Sequence, residues 1–448
     1  MAATQLVQFS INTIDVLMIG RLGPEALAAS SLGLVIFFGL YMFGIGPVMA
    51  VLPMVSQALG AKSDDFAEAR RSVRAGLWVV IISFPVALII GLCTTDIALA
   101  FGQPEIAARL AGPYVAMLMP GLPFALSVLI LRNFLAAIDR TRVPLAIIIL
   151  TTIINALLNW LFIYGVGPFP ELHLVGAGLA STLSHIIGFS LLAGYIMREK
   201  YAKKFDLFLN FRKIDWPRVR EIVRLGWPIS VTTMFEGMLF NASILLTGLI
   251  GLIEVAAFQV ALNFVALIFM IPMGLSMAGA VRVGLAAGAR DLTRVQYAAS
   301  ATIFVSTLVM TVFALIVGFF PNAIAGLYLS ADSPDNQIVI EFVTAFLPIA
   351  AAFMIFDGVQ VAANQCLRGL KDVRMPMIMT GISYWLIGFP FAAWLGLASP
   401  LGAEGVWWGL VISLVTASIL LGGRLWWIMR SPDRALPSPG AQEDIAQS

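Results

Sequence analysis

The sequence predicts an all-α polytopic membrane protein with twelve transmembrane helices in two six-helix bundles related by pseudo-twofold symmetry. The first observation is composition, since 60% of the 448 residues are hydrophobic and only 12% are charged, whereas a soluble chain carries about a quarter charged residues. The second is a series of twelve apolar segments, nearly all of them long enough to cross a bilayer. The third is a repeat that relates the two halves of the chain.

The apolar segments define the predicted domains. Six of them make a first bundle at 1–197 and six a second bundle at 224–429. A connector with eight Lys and Arg residues lies between the bundles at 198–223, and a disordered tail follows at 430–448. The segments are 4–20, 26–59, 76–98, 114–137, 143–166, 175–197, 226–252, 255–281, 298–320, 338–367, 375–397 and 405–427.

The loops that follow even-numbered segments hold most of the basic residues. Arg70, Arg71 and Arg74 follow the second segment, whereas the loops after odd-numbered segments are mainly acidic. Because basic loops stay in the cytoplasm, the connector and both termini are predicted to be cytoplasmic. The first segment lacks a basic leader and a cleavage site, so it is not expected to be a signal peptide.

The two halves carry matching stretches at a nearly constant offset. MIGRLGPEALAA at 18–29 aligns with LTGLIGLIEVAA at 246–257, and LAAIDRTRVP at 135–144 aligns with LRGLKDVRMP at 367–376. An even number of spans per half keeps both halves in the same orientation. The repeat therefore predicts a pseudo-twofold axis along the membrane normal, with two bundles around a central cavity.

The sparse reactive residues exclude several function classes. Cys93 and Cys366 lie far apart in apolar segments, and His173 and His185 are the only histidines, so we expect no metal site and no cofactor. His185 is expected to be a packing residue, with a proton relay as the alternative. A nucleotide-binding GxxxxGK[ST] motif is absent from the sequence. The chain is not expected to be an enzyme, and transport driven by an ion gradient becomes the leading class.

Glu236 lies near the middle of the seventh segment, where an ionised carboxylate is costly and usually marks an ion path. Thr232, Ser243 and Thr247 fall at helical offsets of −4, +7 and +11 from it, so one side of this helix is polar. The alternative is a protonated or paired carboxyl with a packing role. Phe240 and neighbouring methionines are candidates to line an adaptable cavity for flat organic cations.

The tenth segment carries a second acid on a polar stripe. Gln360, Asn364 and Arg368 follow Asp357 at +3, +7 and +11, which places all four on one helix face. Asp357 together with Glu236 would suit either a Na⁺ site or a proton-exchanging pair, because close like charges resist joint ionisation. The alternative is a structural role for Asp357, although Arg368 is too far along the same helix for direct contact.

The first half has polar residues of its own. Gln8 and Asn12 precede Asp15 by seven and three residues on the first segment, and Asn155 and Asn159 lie one turn apart on the fifth. Together they predict a second polar pocket. Asparagines in membrane helices also hydrogen-bond neighbouring helices, so structural and functional roles both remain open for this pair.

Several motifs together resemble those of a known family. They are DVLMIGRLG in the first segment, NALLNWLFIYG in the fifth, FEGMLFN in the seventh and FDGVQVAANQCLRGLKDVRMP in the tenth. The combination is similar to the multidrug and toxic compound extrusion (MATE) transporters, and within them to the NorM-like bacterial branch. The resemblance extends over essentially the whole chain.

The resemblance implies roles for particular residues. Glu236 and Asp357 resemble the carboxylates of the family's second-half cation site, and Asp15 resembles its acid in the first span. Asn155 and Asn159 resemble positions of its first-half pocket, although Asn159 stands where some members carry an acid, which favours coupling through the second half. The family usually has more residues before and within the first span, so the start is expected to be truncated or misassigned.

The expected function is a secondary antiporter of the bacterial inner membrane that exports organic, often cationic, compounds in exchange for Na⁺ or H⁺. It is expected to work as a monomer in the lipid bilayer and to bind no nucleic acid. The first alternative is a lipid-linked sugar flippase of the same broad superfamily, which would need a cationic cavity for pyrophosphate. The second is a scaffold or receptor, which would leave the acidic stripes unexplained.

Overall fold

The computed structural model describes residues 1–61, 66–328 and 334–436, and all of their side chains except those of residues 8–13, 327–328 and 334–335. Throughout these ranges the chain is helical and contains no β-strand. The helices group into two compact units. The first takes in nearly all of residues 1–230 and the second nearly all of residues 231–436, and each unit has a hydrophobic core.

The first unit is built from helices that follow one another with short connections. Within its described residues it contains α1 (Ala2–Gly20), α2 (Pro24–Gly60), α3 (Ala67–Leu92), α4 (Thr94–Ala100), α5 (Glu105–Leu118), α6 (Leu122–Ala137), α7 (Arg142–Tyr164), α8 (His173–Arg198) and the first part of α9 (Trp216–Gly248).

The second unit repeats this order. Its described residues contain the rest of α9, α10 (Leu252–Gly288), α11 (Leu292–Phe319), α12 (Pro321–Tyr328), α13 (Pro334–Gly369), α14 (Arg374–Gly381), a π-helical segment (Ile382–Gly388), α15 (Phe389–Leu397), α16 (Ala403–Met429) and α17 (Pro432–Ala435).

All twelve predicted segments lie on these helices. Eleven helical stretches of the described chain are long and apolar enough to cross a membrane, and the first predicted segment coincides with α1. Large apolar side chains within the spans, such as Leu245, Phe304 and Leu386, are exposed, as expected for helices whose outer face contacts lipid tails. The predicted all-α polytopic fold is therefore confirmed, whereas the symmetry axis between the halves stays a prediction.

Three of the predicted segments are interrupted. The third, 76–98, breaks at Cys93 between α3 and α4. The fourth breaks at a short 3₁₀ turn, Met119–Gly121, between α5 and α6. Pro120 and Pro123 lie at this break, and a proline cannot donate the backbone hydrogen bond that continues an α-helix. The eleventh segment changes to the π-helical form at Ile382–Gly388, a rare conformation that often marks a functional position.

A short helix follows the third long helix in each unit. In the first unit it is α4, and in the second it is α12. Most of α4 was predicted as part of the third segment, 76–98, because its apolar residues continue that segment. Helix α12 lies between the ninth and tenth predicted segments and was not predicted. Their matching positions add to the predicted repeat.

The basic connector packs on α3 of the first unit. The Nε atom of Arg71 lies 2.6 Å from Oδ2 of Asp215, and Arg218 forms ion pairs with Glu68 and Glu221. A compact first unit thus continues through the connector and into α9 as far as Ser230. The limits predicted at residues 197, 223 and 429 stay predictions.

The described part of the predicted tail contains the short helix α17. Ala435 within it is buried, and Arg434 stacks over the ring of Trp427 with its Cζ atom 3.9 Å from the ring centroid. These residues form a short helix that packs on α16, and the disorder expected for 430–448 stays a prediction. Residues 437–448 of that tail lie outside the described residues.

Candidate functional site

Glu236 is half-buried on α9, in the part of this helix that belongs to the second unit. The polar stripe around it is buried, and Ser243 and Thr247 are fully enclosed. Each of these hydroxyls donates to the backbone carbonyl four residues earlier, Ser243 at 2.9 Å and Thr247 at 2.8 Å. Their protons are therefore used within the helix, and only their oxygen lone pairs remain for a cation.

Asp357 is buried on α13 of the same unit, as are Gln360 and Asn364. Neither Oε1 of Gln360 nor Oδ1 of Asn364 accepts a hydrogen bond from any described residue. A buried acceptor without a donor costs free energy, so unsatisfied oxygens in a native interior mark a place for water or an ion. The predicted stripe therefore presents a carboxylate and two amide oxygens that are available to a cation.

A buried cation accompanies the two acids. Arg368 is only 9% exposed, and its charge acts on Glu236 across the helices, while the charge of Glu236 acts on Asp357. The sequence analysis considered Arg368 only as a partner for Asp357 on its own helix. With two carboxylates and one guanidinium, the cluster carries a single excess negative charge when all three groups are ionised.

Tyr384 is a site residue that the sequence analysis missed. It lies in the π-helical segment, is buried, and interacts electrostatically with Glu236, Asp357 and Arg368. Its hydroxyl makes no hydrogen bond within the described chain. Span eleven contains no acid, so sequence spacing gave no reason to place a tyrosine beside acids of spans seven and ten. The only available signal was a polar ring in an otherwise apolar span.

Phe240 is part of an aromatic cluster in the second unit. Its ring lies edge-on to Phe353 at a centroid distance of 6.1 Å, and Phe353 in turn contacts Trp407 at 5.9 Å. Phe240 is only partly buried, so part of its surface is available to another molecule. Its role as a pocket residue stays a prediction.

The first unit brings Asp15, Asn155 and Asn159 together. The Nδ2 atom of Asn159 donates to Oδ1 of Asp15 at 2.6 Å and lies 3.4 Å from Oδ1 of Asn155. Tyr114, which the sequence analysis did not single out, is buried within range of the charge of Asp15. Asp15 of α1 is therefore an acid that accepts a hydrogen bond from α7. The side chains of Gln8 and Asn12, predicted on the same stripe, lie outside the described residues.

Asn159 contacts both Asn155 and Asp15, and one of its polar atoms has no hydrogen-bond partner among the described residues. It is fully buried, and its Oδ1 atom has no donor among the described residues. Its amide nitrogen holds Asp15 in a charge-assisted hydrogen bond, which is stronger than a neutral one. An asparagine cannot take up a proton at this position, so Asp15 is the titratable group of the trio.

Among the described residues, no group of three or more His, Cys, Asp or Glu side chains lies close enough to hold a metal ion. Cys366 is buried in the apolar core, whereas Cys93 is exposed. The candidate site has one part in each unit: Asp15 with Asn155 and Asn159 in the first, and the cluster of Glu236, Asp357 and Arg368 in the second.

Comparisons with known proteins agree with this architecture. The MatE family model matches residues 1–161 and 228–394. The chain is 43% identical over 95% of its length to a "Probable multidrug resistance protein NorM" of Rhizobium meliloti (strain 1021), of which it covers 91%. It is 37% identical over 99% of its length to a protein of the same name from Pseudomonas aeruginosa, of which it covers 90%.

A solved structure shows the same fold. The structure described as "Crystal structure of MATE in the straight conformation" is 21% identical, matches with a TM-score of 0.86, and covers 97% of this chain and 95% of its own. The match of the family model over most of the chain, and the NorM relatives, agree with the motifs of spans one, five, seven and ten. The chain belongs to the MatE family of multi-pass membrane transporters.

Proposed function

We propose that the protein is a secondary antiporter that exports organic, often cationic, compounds in exchange for Na⁺ or H⁺. The names of its relatives as multidrug resistance proteins support this reading. The observation that carries it is the cluster in the second unit of half-buried Glu236 with the buried side chains of Asp357 and Arg368. Buried acids inside a membrane protein are costly unless a cation or proton neutralises them.

The net charge of this cluster indicates how many coupling ions it binds at one time. Arg368 offsets one of the two carboxylates, so one monovalent cation or one proton neutralises what remains. The amide oxygens of Gln360 and Asn364 accept no hydrogen bond from a described residue. Oxygen atoms of this kind are the ligands that hard cations prefer, and Na⁺ is a hard cation. Binding of the ion removes the excess charge, and its departure restores it.

Exchange follows from this balance. The coupling ion and an organic cation can each neutralise the excess negative charge of the cluster, so each stabilises the state to which it binds. Ligands move an equilibrium between inward-open and outward-open states only through their different affinities for the two states. Occupation of the cluster by the coupling ion would therefore compete with the organic cation and drive its release on the outer side.

We infer a secondary role in transport for Asp15, Asn155 and Asn159 of the first unit. Asp15 is the only carboxylate among these three, and Asn159 holds it at 2.6 Å. Asn155 and Asn159 are candidates to orient a polar group of a substrate in the first unit. Phe240 is a separate candidate, in the second unit, to pack against an apolar part of a substrate. The principal ion site remains that of Glu236 and Asp357.

We further infer that the protein lies in the bacterial inner membrane with both termini cytoplasmic, works as a monomer, requires no cofactor and catalyses no covalent reaction. The basic connector beside the end of α8 supports the orientation. The flippase alternative is less well supported, since pyrophosphate requires several cationic groups and the cluster around Glu236 has an excess of acid.

Ethidium efflux from vesicles tests the proposed function. Purified protein is reconstituted into lipid vesicles loaded with ethidium, and a Na⁺ gradient and a pH gradient are imposed separately. We expect one of the two gradients to accelerate efflux above the level of protein-free vesicles. Efflux that responds to neither gradient would refute the antiporter.

A further inference from the structure

The connector between α8 and α9 carries positive charges that the rest of the described chain does not neutralise. Arg71 and Arg218, which join the connector to α3, each pair with an acid. None of the exposed basic side chains of the connector's first part forms an ion pair with a described residue. These side chains are Arg198, Lys200, Lys203, Lys204, Arg212 and Lys213.

Two acids lie among these cations and offset them only in part. Glu199 is used locally, since it accepts hydrogen bonds from the backbone N–H groups of Tyr201 at 2.9 Å and Ala202 at 2.6 Å. Asp206 is exposed. Six basic side chains and two acids give residues 198–213 a net charge of +4, which favours an anionic partner.

A groove of about 290 Å³ lies beside these charges, between the last turn of α8 and the connector. We call it the connector groove, and it lies wholly within the first unit. Met197 and Leu209 on its walls are 54% and 52% exposed. Apolar surface of this kind is stabilised when another apolar group removes it from water. The groove is lined by residues that include Ile196, Met197, Lys203, Asp206, Phe208 and Leu209.

The connector is held at one membrane face by both of its ends. Helix α8 ends at Arg198 and α9 begins at Trp216, and both helices are long and apolar enough to cross a membrane. Tyr201 and Trp216 are exposed, and such rings are enriched at the level of the lipid headgroups. The connector groove therefore lies where headgroups meet acyl chains.

Charge and apolar walls together indicate the ligand. A phosphate ion, a nucleic acid or an acidic peptide would meet the positive charges but leave the walls around Met197 and Leu209 in water. A zwitterionic lipid would cover these walls but make no use of the net positive charge. A phospholipid with a negatively charged headgroup matches both features, because its phosphate can lie at Lys203 while a chain covers the walls.

We propose that the connector groove binds an anionic phospholipid, of the phosphatidylglycerol type, from the membrane around the protein. Lys203 contacts the phosphate, and one acyl chain lies against Met197 and Leu209. The inference does not rest on the coupling ion or on the transported compound, and its test measures lipid binding without transport.

Native mass spectrometry of the full-length purified protein measures the affinity for the first lipid bound. Phosphatidylglycerol is compared with phosphatidylcholine and phosphatidylethanolamine that carry the same acyl chains. We expect phosphatidylglycerol to bind at least fivefold more tightly than either. Lys203→Gln should weaken its binding about fivefold, the effect of one cation beside an anionic surface. Asp206→Asn should tighten it severalfold, because the change removes a negative charge from the groove.

Two further variants distinguish the groove from unspecific charge. Arg21→Gln removes one exposed positive charge that follows α1 in the same unit, and it should leave phosphatidylglycerol binding unchanged. Leu209→Ser keeps every charge and removes part of an apolar wall, so it should weaken the binding severalfold. Lys203, Asp206 and Leu209 are all exposed, so none of these substitutions opens a cavity in the core.

Three results would overturn the proposal. The first is equal affinity for phosphatidylglycerol and either zwitterionic lipid. The second is wild-type phosphatidylglycerol affinity in Lys203→Gln or in Leu209→Ser. The third is displacement of the lipid by an equal concentration of glycerol phosphate or of hexaglutamate, because these anions have no acyl chain and would show a site that does not use the apolar walls.

Discussion

Arg368→Gln is expected to increase the affinity of the second unit for its coupling ion. The wild-type cluster of Glu236, Asp357 and Arg368 has one excess negative charge, and the variant has two. The substitution removes a repulsion between the guanidinium and the bound cation, which lie in the same buried cluster. At an effective dielectric constant of about 20, unit charges roughly 6 to 10 Å apart interact by about 1.7 to 2.8 kcal/mol. We therefore expect the ion to bind about 15- to 100-fold more tightly.

Calorimetric titration of the purified variant with Na⁺ measures this change, and proton uptake from weakly buffered solution measures it if H⁺ is the coupling ion. Arg368→Lys keeps the charge and should remain near wild type. Arg374→Gln is a matched control, because Arg374 is exposed on α14 in the same unit. Folded Arg368→Gln protein with wild-type ion affinity would show that the guanidinium does not balance these acids.

Three further changes test other parts of the account. Asn159→Ala removes the 2.6 Å hydrogen bond to Asp15. The loss should lower the free energy of unfolding by about 1.5 to 3 kcal/mol, measured by thermal unfolding, and should reduce ethidium efflux without abolishing it. Complete loss of efflux would make Asn159 essential. Ser243→Ala should change the efflux rate less than twofold, because its hydroxyl donates only to its own helix; a large loss would make it an ion ligand. Backbone N–H groups of the following turn, together with Arg140, hold the pKa of Glu199 below its ordinary value. The ionised carboxylate therefore stabilises the connector above the ordinary pKa of about 4.3. This stabilisation is lost as the pH falls below that value and through the lowered pKa. Limited proteolysis of the connector should therefore accelerate below about pH 4.3, and Glu199→Gln should already be cleaved faster at pH 7; equal cleavage of both proteins at every pH would contradict this.

The sequence predicted the helices and the positions of the acids because both depend on local information. A span of about 20 apolar residues is required by bilayer thickness, so all twelve segments could be found without knowledge of their packing. The same logic found Glu236 and Asp357, since a carboxylate in an apolar span is conspicuous. It also found the stripe from Asp357 to Asn364, which depends only on helical spacing.

The remaining features depend on contacts between helices, which spacing along one helix does not reveal. Tyr384 reaches the acids from a π-helical segment, and no sequence rule distinguishes that segment from an ordinary span. The charge of Arg368 acts across helices on Glu236, although the sequence suggested only Asp357 as its partner. Ser243 appeared available on the polar face of α9, and the structure shows that its proton is used within the helix.

A cavity in the first unit was hidden for the same reason. Its lining comes from four helices and includes Arg132, which in the sequence is one more basic residue near the end of a span. His185 was expected to be a packing residue, and its side chain also lines this cavity.

The central claim is that Glu236 and Asp357 carry the coupling ion, and gradient-driven ethidium efflux from vesicles tests it most directly. Glu236→Gln and Asp357→Asn keep the size of each side chain and remove its charge, and Asp372→Asn, at an acid that pairs with Arg424, is the matched control. We predict that both site variants insert normally but no longer respond to an imposed Na⁺ or pH gradient, while the control responds as wild type does. Wild-type efflux with unchanged gradient dependence in both site variants would contradict the account and make Asp15 the next candidate for the ion site.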